Sequence, residues 1–114
     1  MEKLIAPPES LKKLYNISIK GICKEFKDVL NKYNLAPFYL YKLYTGQLVL
    51  YNGIYETDKG EILLRVYVSK EFNDSCLMPR IVFGIKPEEL ELVATLLYST
   101  EDDEFYKSEL EKLN

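Results

Sequence analysis

Ser10-Leu11-Lys12-Lys13 has the serine–lysine spacing of some acyl-transfer nucleophiles, and in this 114-residue chain it is the local pattern that most directly names a reaction. Two fixed positions in four arise often by chance, and the partner motifs such a site needs do not follow. The remaining catalytic vocabulary is thin. The chain has no histidine, which removes imidazole bases, the usual triads and histidine-held metals. Its two cysteines, Cys23 and Cys76, cannot complete a zinc tetrahedron between them. They read as small hydrophobes, buried or half-buried, and Cys23 as a nucleophile would lack a base. No glycine-rich phosphate loop is present. The run Glu101-Asp102-Asp103-Glu104 lacks the glycine of a calcium loop and reads as charge at the start of a helix. The expectation is a protein without catalytic residues, cofactor or metal.

The other chemistry-bearing stretch is aromatic. Residues 38–57, FYLYKLYTGQLVLYNGIYET, hold Phe38 and the five tyrosines Tyr39, Tyr41, Tyr44, Tyr51 and Tyr55, with only Lys42 and Glu56 charged. Rings in such number can hold a sheet together, bind a protein or stack on bases. Which of these they do depends on the elements that carry them.

The spacing predicts a first amphipathic helix over 18–34, with Ile22, Phe26, Val29, Leu30 and Tyr33 on one stripe. Lys20, Lys24 and Lys27 form a basic row on the other side, read as a solvated face and as a secondary site able to touch phosphate. Residues 1–16 precede it as a loosely ordered segment with a short helical turn after Pro7-Pro8. Strands are predicted over 38–44, 47–57, 61–69 and 77–85. In the second, Asn52-Gly53 fits either a tight hairpin turn or a bulge in one continuous strand, and the continuous strand is preferred. Two helices are predicted to close the chain. The first opens at Pro87 with core stripe Leu90, Val93, Ala94, Leu97 and Tyr98, and the second is capped by Ser99-Thr100. The expected fold is a single α+β domain over 1–114: an N-terminal amphipathic helix, a three- to four-stranded antiparallel sheet, and two C-terminal helices on one sheet face.

Alternation along the strands assigns the faces. Ile62, Leu64, Val66 and Val68 are expected inside, with Leu48, Leu50 and Ile54 beside them. An unpaired Lys42 belongs outside, which turns Tyr39, Tyr41 and Leu43 inward. The outer face would then show Phe38, Lys42, Tyr44, Tyr51, Tyr55, Arg65 and Tyr67. Three readings of that face stand side by side. Cross-strand aromatic pairs alone can stabilise a sheet, each by roughly 0.2–1 kcal/mol. The face can be a protein interface, for a homodimer or another partner, because Tyr and Arg are favoured there. It can also be a stacking platform for single-stranded nucleic acid or a nucleotide, with Lys42 and Arg65 near phosphates.

Charge weighs against the last. The net charge of −3 is uneven: residues 1–35 carry seven Lys against four acids, and residues 71–114 carry four basic residues against eleven acids. An acidic C-terminal third repels phosphate backbones. No apolar run nears the roughly 18 residues that span a bilayer, and MEKLIAPPES lacks the apolar core of a signal peptide. The expected protein is thus cytoplasmic, free of membrane, and small. Its expected role is an interaction module of the adaptor or inhibitor type, homodimeric or bound to a protein partner. Size and a composition rich in Lys, Ile, Asn and Tyr suggest a viral or mobile-element source.

Overall fold

Gly21, Gly46 and Gly60 lie between the elements of the chain, as do Pro7, Pro8, Pro37 and Pro79. In the computed structural model, which describes residues 3–74 and 78–113, the order is β1 (Leu4–Ile5), α1 (Glu9–Ser18), α2 (Lys24–Lys32), β2 (Tyr39–Lys42), β3 (Leu48–Glu56), β4 (Ile62–Val68), β5 (Arg80–Ile85), a 3-10 turn at Pro87–Glu89, β6 (Glu91–Thr95), β7 (Tyr98–Ser99) and α3 (Thr100–Glu111). The fold is α+β. The chain forms two compact units, one of residues 1–22 with 95–114 and one of residues 23–94.

In the first unit β1 pairs antiparallel with β7, Leu4 opposite Ser99 and Ile5 opposite Tyr98, and α1 packs on α3. The cap of α3 was legible in the sequence. Asp102 N–H donates to Ser99 Oγ and Ser99 N–H donates to Asp102 Oδ2, each at 3.1 Å. Two of the four orphan donors of the helix start are satisfied this way, and three acids in its first turn meet the positive helix end.

Of the expected helix over 18–34 only Lys24–Lys32 is one helix; Ser18 ends α1, and residues 19–22 are the turn between the two. Ser18 Oγ turns back to donate to Tyr15 O at 2.7 Å, and Gly21 follows in a turn. A glycine costs a helix interior about 1 kcal/mol, so the chain breaks there and restarts from an extended Cys23. Upstream, the segment expected to give only a short turn makes all of α1. The second helix ends in a left-handed Asn34 (φ 52°), with Leu35 N–H donating to Leu30 O at 2.9 Å. That closure satisfies carbonyls the helix end would leave bare.

The second unit is built on a five-stranded sheet of order β5-β4-β3-β2-β6, one strand more than the upper expectation. The extra strand is β6, from residues where a helix was expected. Lys86 N–H donates to Glu89 Oε2 at 2.6 Å and closes a single turn, after which Leu90 is extended. The following run, Glu91 to Thr95, is short, apolar and partly β-branched. Such a run suits helix or strand equally, and pairing beside β2 decides for strand. The fourth expected strand begins at Arg80; Leu77 and Cys76 lie outside the described residues.

Beta3 is one continuous strand, as expected, and its pairing with β4 shifts between Tyr51 and Gly53, which places the bulge at Asn52. Leu64, Val66, Val68, Val49 and Tyr41 are fully buried, and Leu30, Leu35, Ala36, Phe38 and Leu43 are nearly so. These residues form the core of the unit.

Candidate functional site

Cross-strand partners of an antiparallel sheet share a face, so the pairing fixes which side chains stand behind the core. Tyr41 opposes Val49, and Lys42 opposes Leu48. Lys42 is exposed as expected, and its pairing turns Leu48 and then Leu50 outward with it. Val49 and Tyr51 therefore face inward, and Tyr51 lies opposite the buried Val66. This corrects the expected assignment of residues 48–51. Beyond the bulge the alternation slips by one, which puts Ile54 inside opposite Leu64 and Tyr55 outside opposite Leu63, both as expected. Phe38 is a second correction. It precedes β2 and is 5% exposed in the core.

Of the seven residues the sequence placed on one face, Lys42, Tyr55, Arg65 and Tyr67 share it. Tyr44 is 85% exposed but sits in the turn after β2, and Phe38 and Tyr51 are inward. Two residues from β5 replace them. Ile81 opposes Tyr67, and Phe83 meets Tyr55 edge-to-face with ring centroids 6.0 Å apart. Ile81 is 47% and Phe83 62% exposed. The period of two along residues 80–85 could have found them, had the pairing with β4 been known.

This patch is held in place from behind. Gly84 N–H donates to Tyr55 Oη at 2.8 Å, which fixes the ring that carries Phe83. Arg65 lies flat over the bulge. A Cβ built on Gly53 would collide with Arg65 Nη2 and lie 2.7 Å from its Cζ, so a side chain here would have to displace the movable end of Arg65. One cation of the face is thus packed against backbone.

The remaining candidates resolve differently. Lys20 lies in the turn after α1 while Lys24 and Lys27 lie on α2, so the basic row is not one helix face. Cys23 is a free thiol and exposed, where a buried or half-buried one was expected; it sits at the N-terminal boundary of α2, with no side-chain bond to the helix end. Ser10 is 6% exposed while Lys13 is exposed, so the serine of the nucleophile-like pattern is out of reach of substrate. Among the described residues, no group of three or more Cys, Asp or Glu side chains is placed to hold a metal, and no helix is long and apolar enough to cross a membrane.

An open groove of about 640 Å³ runs along Thr45–Leu48 and Phe72–Asp74. Its central polar side chain is already engaged. Asn73 Oδ1 accepts from Leu48 N–H at 2.9 Å, and its Nδ2 donates to Leu48 O at 2.8 Å and Ser69 O at 3.1 Å. Asn73 therefore continues the sheet as a mock strand and has little left to offer a ligand.

No family model, curated protein or solved structure matches the chain.

Proposed function

We propose that this protein is a small non-enzymatic interaction module, of the adaptor or inhibitor type, that binds another protein through the outer face of its sheet. The observation that carries this reading is Phe83, a large ring 62% exposed and braced by Tyr55, with Tyr67, Ile81 and Arg65 around it. Exposed aromatic and Arg side chains at the centre of a patch are the residue types that dominate protein-binding energies. Their fixed rings reduce the ordering entropy that association costs.

The test is capture from cells producing the protein, with wild type compared to Phe83→Glu and Tyr67→Glu and each variant checked for folding by circular dichroism. A partner retained by wild type and lost from both folded variants supports the reading. An identical set captured by all three sinks it.

The stacking alternative keeps Lys42, Tyr55, Arg65 and Tyr67 but has lost Phe38 and Tyr51 to the core. It predicts binding of single-stranded oligonucleotides that weakens steeply with salt, whereas the apolar patch predicts a weak salt response. A cytoplasmic setting and a viral or mobile-element source remain part of the proposal.

A further inference from the structure

The sheet has two edges, and they are built differently. Beta5 is a guarded edge. Pro79 precedes it, Arg80 opens it, its pairing with β4 shifts between Leu64 and Val66, and Gly84 takes a left-handed conformation (φ 76°). Proline, charge and irregular backbone are the devices that keep edge strands from pairing with other chains.

Beta6, at the other end of the strand order, shares with β5 only a charge at the first position and has no proline within Glu91–Thr95. All five of its residues are exposed, including Leu92 at 46% and Val93 at 49%. It has no glycine either. A bare apolar edge of this kind is a template for another strand.

We infer that its occupant is a second copy of the same strand, paired antiparallel about a two-fold axis at Val93, so that two five-stranded sheets become one continuous sheet. Charge on the strand selects this arrangement. The two-fold at Val93 sets Glu91 opposite Thr95, Leu92 opposite Ala94 and Val93 opposite itself. Each carboxylate meets a hydroxyl that can donate to it, and no like charges face each other, which would be unfavourable. A parallel pairing in register would bring the two Glu91 side chains side by side. Centring on Val93 also uses the whole strand, whereas any shifted axis leaves part of it unpaired. A closed two-fold contact of this kind ends with two copies and builds no fibre. The inference does not rest on the outer-face reading, because dimerisation through the edge leaves Phe83 and Tyr55 uncovered.

The experiment exploits the axis. Val93→Lys and Val93→Glu each place like charges against each other in a homodimer and opposite charges in a mixed one. Light scattering should give wild type the mass of two chains and each folded variant the mass of one. An equimolar mixture of the two variants should regain the mass of two chains. A wild-type protein of one-chain mass at about 100 μM overturns the inference, as do variants that stay dimeric.

Should either charged variant fail to fold, Val93→Cys is nearly isosteric and serves instead, in a background with Cys23 and Cys76 replaced by Ser. A short bis-maleimide should then link two chains through residue 93, and a chain that stays unlinked overturns the proposal. Phe83→Glu should leave the dimer intact throughout, which separates failure here from failure of the partner-binding reading.

Discussion

Alternate residues of the same strands build two unlike surfaces. On one face of the sheet, Val49, Leu64, Val66, Val68 and Tyr41 are wholly buried. On the other, Tyr55, Arg65 and Tyr67 stand half-covered beside Ile81 and Phe83, which are about half to two-thirds exposed. Both faces are aromatic, and both use a tyrosine hydroxyl to fix backbone. Tyr41 Oη accepts from Ala36 N–H at 2.9 Å and donates to Asn34 O at 2.6 Å. Tyr55 Oη accepts from Gly84 N–H. What differs is the ring. Tyr41 spends its ring on the core and its hydroxyl on the turn that leaves α2, whereas Tyr55 spends its ring on bracing an exposed phenylalanine. Aromatic content alone thus says little about whether a stretch holds a protein together or presents a surface.

Substitution can sharpen that contrast. Tyr41→Ala should destabilise the most, by about 3–5 kcal/mol, as truncation of a buried aromatic does. Urea unfolding should show it, and a loss under about 1 kcal/mol would mean that the inner face is not the core. Tyr41→Phe keeps the ring and strands Ala36 N–H and Asn34 O, at a cost of about 1–3 kcal/mol.

Gly53→Ala should cost no more than about 1 kcal/mol, because the atoms it displaces are the movable end of Arg65. Adding Arg65→Ala should restore part of that loss. Equal and additive costs in the double-mutant cycle would show that the two positions do not share space.

Phe83→Ala should change stability by no more than about 0.5 kcal/mol while removing the proposed partner. A large destabilisation would make the outer face a second core and end the comparison.

The smallest effect lies in the first unit. Burial, followed by Tyr106 and Asp102, raises the Tyr98 phenol above its ordinary 10.0. The folded state holds that proton more tightly than the unfolded chain does. The stabilisation is therefore complete below about pH 10 and is lost as pH rises through the raised value. Tyr98→Phe should flatten the alkaline fall in Tm and leave the neutral value nearly unchanged; a parallel fall in both proteins would assign it elsewhere.

Much of the fold was legible wherever one residue type has one physical solution. Alternation from 61 to 69 gave β4 and its buried face. Ser99 followed by acids gave the cap of α3, while Asn52-Gly53 left hairpin turn and bulge side by side with the continuous strand preferred. Lys42 gave the orientation of β2, because a lysine without a partner stays in water. It orients residues 48–51 only once its pairing with Leu48 is known, which turns that leucine outward. Register between strands was the missing knowledge. Phe83 and Ile81 escaped for the same reason, as their face follows only from opposing β4.

The sequence by itself determined the α+β class, the buried side of β4 and the capped last helix. Each rests on interactions between near neighbours in the chain. Tertiary structure alone decided that Glu91–Thr95 is a strand, that Tyr51 points inward, and that Phe83 stands beside Tyr55. An apolar run of five residues suits helix or strand, and a bulge can slip either half of its strand. Such ties are broken only by partners distant in sequence, here β2 beside β6 and β4 between β3 and β5.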